Sequence, residues 1–320
     1  MKVLTWKEIK EQEGSSTAGV LGMVMMRRFA RAWALVVCLA VSLSSCSTGA
    51  ATDILTTTTI LADIARNVAG DRLTVSSLLP VGTDPHSYQP VPQDAARINQ
   101  SRVLIIHGGG YERFLDGLLE NTEGQNTLLE ASTGVRLQSS TENDQGVDPH
   151  VWLDPNNVIV YVDNIRDGLM AFDPDGAETY RANAGIYIDQ LKELDTWIRE
   201  QVAQIEPQHR VLVTNHEALG YFAERYGFTV VGAVMPSFSS DSSPSAQQMA
   251  NLIEQIKLHK VPAIFLDASD NPDLARQIAA ETGVQVASDL HLESLTQGSP
   301  AGTYIDMMRN NVTKIVQALQ

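Results

Sequence analysis

The chain has 320 residues, 43% of them hydrophobic and 19% charged, which excludes a disordered chain and leaves room for two domains of ordinary size. Its formal net charge is −15, and six of the 23 Lys/Arg but only three of the 38 Asp/Glu fall in residues 1–45, so the remainder is more acidic still. So acidic a body excludes nucleic acid as a partner, because phosphate binding needs clustered Lys/Arg.

Residues 1–45 read as an export signal. Arg27, Arg28 and Arg31 precede an apolar run over 32–43, which is too short to span a bilayer comfortably. The run ends in Leu43-Ser44-Ser45-Cys46, which resembles the bacterial lipobox, so Cys46 is expected to carry a lipid, with 46–52 as a polar tether. Nothing in residues 1–22 fits a signal pattern, which points to translation starting at Met25 or Met26. The two cysteines, Cys38 and Cys46, both lie in this stretch, so the folded body has no disulfide framework and no cysteine zinc cluster.

After the tether, strand and helix patterns alternate. Strands are expected over 54–58, 73–79 and 103–106, and helices over 60–68, 93–99 and 111–119. Residues 176–205 then carry apolar side chains every three and four positions, from Ala177 to Ile205, after a start signal at Asp173-Pro174-Asp175 and before a stop at Pro207. Thirty helical residues would reach about 45 Å, enough for a strut between two lobes. Beyond it, strands are expected over 211–214, 228–231, 262–266 and 284–286, with helices over 218–226, 246–259 and 272–281, the helix at 246 capped by Ser245. The expected fold is α/β: two lobes, 53–173 and 207–320, each with a mostly parallel sheet flanked by helices, joined by a long rigid helix over 174–206.

Three of the seven histidines sit at strand ends. Asp-Pro-His occurs twice, at 84–86 and 148–150, and His216 follows the apolar run Val211-Leu212-Val213. In parallel sheets ligands bind beyond the carboxyl ends of strands. His86, His150, His216 and Asp289, the last directly after the final expected strand, therefore converge in the cleft between the lobes, two from each. Three imidazoles and a carboxylate make a four-ligand set suited to Zn²⁺. The proline before His86 and His150 stiffens the backbone there, and Asp84, Asp148 and Asp154 are candidates to orient the imidazoles.

The other histidines compete weakly. His209 and His259 read as solvated, and His291 is an alternative ligand two residues past Asp289. His107-Gly108-Gly109-Gly110 mimics an esterase oxyanion loop, but there is no G-x-S-x-G elbow, so it reads as a glycine turn. Glu112 is a weak candidate for the metal, and Trp152 reads as core. A zinc hydrolase is the rival from another class: without Asp289 the three histidines would leave an open position for water, with Glu217 as base.

Several stretches carry a family resemblance: GTDPHSY at 82–88, DPHVWLDP at 148–155, TNHEALGYFAERYG at 214–227, SPSAQQMANLIEQIK at 243–257 and Val286-Ala287-Ser288-Asp289. Together they resemble the metal-binding solute-binding lipoproteins of bacterial zinc/manganese ABC uptake systems, over roughly residues 53–320. The resemblance implies two lobes with a metal between them, ligands His86, His150, His216 and Asp289, and delivery of the cargo to a membrane permease driven by a separate ATPase; a monomer is expected. Manganese-type members place a carboxylate where this chain has His216, which favours Zn²⁺ over Mn²⁺. Many zinc-type members carry a histidine-rich acidic loop, whereas residues 139–147 here contain Glu142 and Asp144 but no histidine. Metal is expected to bias the lobes toward a closed arrangement.

Overall fold

The computed structural model describes residues 52–119, 126–139, 146–240 and 243–320; the expected signal region and residues 46–51 of the tether, Cys46 among them, lie outside, as does most of the 139–147 loop. The body Thr52–Gln320 opens with strand β1 (Ile54–Thr56) and helix α1 (Thr59–Ala69), capped where the Thr58 hydroxyl accepts the Leu61 N–H. Strand β2 (Val75–Ser77), helix α2 (Pro92–Gln100), strand β3 (Val103–Ile106), the short helix α3 (Asp116–Leu119) and strand β4 (Thr127–Glu130) follow. The four strands form one parallel sheet in the order β2-β1-β3-β4. β4 is not among the sequence expectations: only Leu129 is half-buried and Leu128 faces out, as an edge strand permits.

A small antiparallel pair, β5 (Gln138–Ser139) and β6 (Val147–Asp148), leads into helix α4 (Pro155–Phe172) and the long helix α5 (Ala177–Val202). The latter has 26 residues and is about 39 Å long. Its buried stripe of Tyr180, Ala184, Tyr187, Leu191, Leu194, Ile198 and Val202 follows the expected periodicity. The second sheet contains β7 (Val211–Thr214), β8 (Thr229–Ala233), β9 (Ala263–Asp267) and β10 (Gln285–Leu290), parallel and ordered β10-β9-β7-β8. Helices α6 (Gly220–Tyr226), α7 (Ala246–His259) and α8 (Asp273–Thr282) connect them. At α7 the Ser245 hydroxyl and the Gln248 side chain cap each other's backbone, as the Ser245 signal predicts. The chain closes with α9 (Tyr304–Leu319).

α5 packs on α4 and α1 from the first lobe and on α9 from the end of the chain. One apolar cluster therefore runs without a break from Ile54 and Val103 of the first sheet, through Leu191 and Leu194, to Leu212 and Phe265 of the second. The outer faces of the sheets have separate cores: Leu55 and Leu104 with Ile98, and Val213 and Ile264 with Leu252 and Ile278.

Strand order fixes where a ligand can sit. The strand order reverses between β1 and β3 in the first sheet and between β7 and β9 in the second, and such switch points leave crevices at the carboxyl ends of strands. The strand expected over 284–286 is longer than its β-branched core suggests. β10 continues to Leu290 through a register irregularity between Ala287 and Leu290, with Asp289 in a left-handed conformation at φ 65°.

Candidate metal centre

Both Asp-Pro-His tripeptides fold into the same local turn. The Asp84 carboxylate accepts the His86 backbone N–H at 2.9 Å, and the Asp148 carboxylate accepts that of His150 at 2.9 Å. An aspartate reaching two residues ahead closes a tight turn, and the intervening proline needs no partner for its missing N–H. His216 stands just past β7, where the Thr214 hydroxyl donates to its carbonyl at 2.6 Å.

These turns bring three imidazoles together, with ring centroids 5.2–5.4 Å apart. The fourth member is Glu293. Its Oε1 lies 3.2 Å from His150 Nε2, 3.2 Å from His216 Nε2 and 3.8 Å from His86 Nε2, and the His86 and His150 nitrogens are 3.2 Å apart. Among the described residues these four form the group able to hold a metal ion, their donor atoms all within 4.8 Å of one another. A tetrahedral metal bound at about 2.0–2.1 Å would set its donors about 3.3 Å apart, so the spacing is already close to that of a filled site.

The surroundings hold each donor in place. His150 Nδ1 lies 2.8 Å from the Asp148 carboxylate, which turns Nε2 toward the other donors. Burial pulls the His150 pKa down, but the Glu293 and Asp148 carboxylates outweigh it and push it up to about 10. Glu293 shows the reverse: burial raises it, yet His150 and the hydrogen bonds from the histidines hold it well below the ordinary carboxyl range. Its second oxygen, Oε2, accepts the Tyr111 hydroxyl at 2.5 Å, and burial keeps that phenol protonated.

Other candidates are placed elsewhere. Asp289, expected as the fourth ligand, is exposed, and its backbone carbonyl accepts the Lys314 ammonium at 2.9 Å; the longer β10 carries the chain past it, and the carboxylate delivered to the crevice comes four residues later. The sequence does mark Glu293, since Leu290, Leu292 and Leu295 flank it and a carboxylate among leucines signals a buried, partnered charge. His291 is tied by its backbone to Asn311 and stays outside the group. His209 and His259 are exposed.

His107 is buried between Thr58 and Tyr161, and burial lowers its pKa to about 3, so it is a neutral packing residue behind the centre. The three glycines after it all have positive φ, as a glycine turn requires, and Glu112 accepts the N–H groups of His107 and Gly108 instead of facing the donors. Of the proposed orienting aspartates, only Asp148 reaches an imidazole. Asp84 accepts from serines, and Asp154 caps α4 through the Asn156 N–H. Trp152 is wholly buried.

Residues 54–318 match the family model described as "Zinc-uptake complex component A periplasmic". The chain belongs to this family. It is 38% identical over 267 residues to the manganese-binding lipoprotein MntA of Halalkalibacterium halodurans, covering 83% of this chain and 88% of that protein. It is 32% identical over 266 residues to the iron-binding protein YfeA of Yersinia pestis, covering 82% and 85%. The periplasmic zinc-binding protein TroA of Treponema pallidum has the same fold, with a TM-score of 0.78 at 27% identity, covering 83% of this chain and 98% of that one. The relatives' names thus span manganese, iron and zinc, while the two-sheet architecture with its long helix is common to the fold. Among the described residues no helix is long and apolar enough to cross a membrane.

Proposed function

We propose that this chain is the extracytoplasmic solute-binding protein of an ABC uptake system, capturing one divalent transition metal with His86, His150, His216 and Glu293 and handing it to a membrane permease driven by its ATPase. Lipid at Cys46 would tether it to the membrane face, with 46–52 as tether, 53–173 and 207–320 as lobes, and 174–206 as the link. The observation that carries the reading is the quartet of donors, three of them buried and His86 half-buried, spaced close to what a tetrahedral ion needs. Membership of a family of metal-uptake components supports delivery rather than turnover. The hydrolase alternative loses its basis, since Glu293 fills the position that a catalytic water would need.

Zinc is the favoured cargo. Three imidazoles suit Zn²⁺ better than the oxygen-preferring Mn²⁺, and Tyr111 occupies one oxygen of Glu293, which leaves a single carboxylate donor and a small coordination number.

Metal titration tests the site. Alanine at His86, His150, His216 or Glu293 is expected to weaken binding by at least a hundredfold, while Asp289→Ala binds like wild type. Unchanged affinity in Glu293→Ala with loss in Asp289→Ala would reverse the fourth assignment. Affinity alone does not identify the cargo, because Zn²⁺ outbinds Mn²⁺ at most nitrogen sites. Cells lacking the protein are expected to lose high-affinity uptake of labelled zinc and to retain that of manganese; the opposite result overturns the zinc assignment.

A further inference from the structure

The four donors are not held equally. Glu293 sits in a segment bolted to both lobes: the Leu292 N–H donates to Asp267 at 2.5 Å, the Leu292 carbonyl accepts the Trp152 indole at 2.9 Å, and the Leu295 N–H donates to the Thr59 hydroxyl at 2.9 Å. His150 is fastened twice by Asp148, whose carbonyl in turn accepts the Tyr221 hydroxyl at 2.8 Å. Both side chains are almost wholly enclosed, at 0% and 2% exposure, as is that of His216 at 2%. His86 differs. It lies at 7% exposure on a stretch without regular structure between β2 and α2, at the rim of the crevice.

What holds that stretch against the opposite wall is polar and narrow. One Asp84 oxygen closes the turn onto the His86 N–H. The other accepts the hydroxyl of Ser240, 156 positions away on the second lobe, at 2.5 Å, and that of Ser87 within the turn at 3.1 Å. Nearby, the Gly82 N–H donates to Ser294. The carboxylate that shapes the His86 turn is thus the same one that ties it across the crevice.

We propose that Ser240 is a positioning residue that sets how long the metal stays bound: its hydrogen bond to Asp84 latches the His86 turn shut, and the ion enters and leaves past this turn rather than through parting of the lobes. The inference rests on the quartet being the metal site. It follows from which contacts are costly to break, because the Glu293 segment is bonded to buried groups on both sides, whereas the turn needs only to exchange two or three rim hydrogen bonds for water.

The test compares Zn²⁺ release to excess chelator from wild type, Ser240→Ala, Ser240→Thr and Ser87→Ala, with Co²⁺ absorption reporting the donor set. Losing a hydrogen bond to a charged group is expected to speed release from Ser240→Ala on the order of tenfold. Association stays as fast as or faster than wild type, and the Co²⁺ spectrum does not change. Ser240→Thr keeps the hydroxyl and is expected to restore slow release, and Ser87→Ala, which lacks only the bond within the turn, is expected to release more slowly than Ser240→Ala. Wild-type release from Ser240→Ala, or release from Ser240→Thr as fast as from the alanine variant, overturns the latch. A Co²⁺ spectrum unaltered by His86→Ala instead overturns the metal-site reading on which it stands.

Discussion

At the scale of single residues, the repeated Asp-Pro-His shows how one local device serves two ends. Both aspartates close the same turn, yet Asp148 also grips its histidine's Nδ1 while Asp84 spends its second oxygen on serines. The sequence repeat therefore reveals the turn but not the division of labour, which depends on what each loop meets after folding. The Asp148 contact has a measurable consequence. The pKa of His150 in the metal-free fold is raised from 6.5 to about 10, so its proton contributes stability that is fully present below about 6.5 and lost as pH rises through about 10. A metal must displace that proton, and apparent affinity is expected to rise with pH across the same window, approaching tenfold per unit. Calorimetric titration at pH 8 in buffers of different ionisation enthalpy should find about one proton released per metal bound. Asp148→Asn removes one of the raising carboxylates, and it is expected to release fewer protons at pH 8 while binding metal roughly 10–100-fold more weakly. Equal proton release from the two proteins would show that Asp148 does not set the state of His150.

At the scale of elements, the strand–helix alternation, the long helix and the three histidine turns were legible, because each has a period or a punctuation that survives without tertiary contacts. The end of β10 was not. A β-branched core over 284–286 looks complete, and a one-residue bulge that lets the strand run four residues further leaves no mark in hydrophobic periodicity; the polar stretch Ser288-Asp289 reads as a loop. Helices α4 and α9 were absent from the expectations, although Asp154-Pro155 and Thr303 with Asp306 are good start signals, with Asp154 and Thr303 each accepting a backbone N–H of the first turn. The start of α6 is an equally quiet feature with a testable role. Gly220 opens the helix against the Asp148 carboxylate, and a Cβ there would stand 2.6 Å from Oδ2 and 3.0 Å from the Gln138 Oε1. Gly220→Ala is thus expected to push Asp148 off His150 and weaken metal binding on the order of tenfold, even though alanine favours helix. In a double-mutant cycle it should add little to Asp148→Asn. Fully additive losses would mean that the glycine acts elsewhere.

At the scale of the whole molecule, the two sheets are less independent than their separate hydrogen-bond networks suggest. The shared core passes through α5, and the C-terminal helix ties back to the start of the body where the Tyr304 N–H donates to the buried Asp63 carboxylate at 2.9 Å. The Tyr304 hydroxyl reaches the Trp152 carbonyl at 2.7 Å, so α9 touches both the first lobe and the loop that presents His150. Sequence reasoning could place a strut between two lobes, but not the closing contacts of residues 241 positions apart, which exist only once both halves have folded. A protein with one core and cross-lobe bolts of this kind should unfold as a unit, and metal bound across the crevice should stabilise all of it. Calorimetry of the metal-free body is expected to give a single transition with equal calorimetric and van't Hoff enthalpies. A free metal concentration of a hundred times Kd should add about 2.7 kcal/mol without splitting that transition. Solution scattering separates the two routes for the metal: a rim turn that opens alone leaves the envelope the same with and without metal, whereas closure of one lobe on the other shrinks it when metal binds. Two resolved transitions, only one of them shifted by metal, would mean that the sheets fold separately.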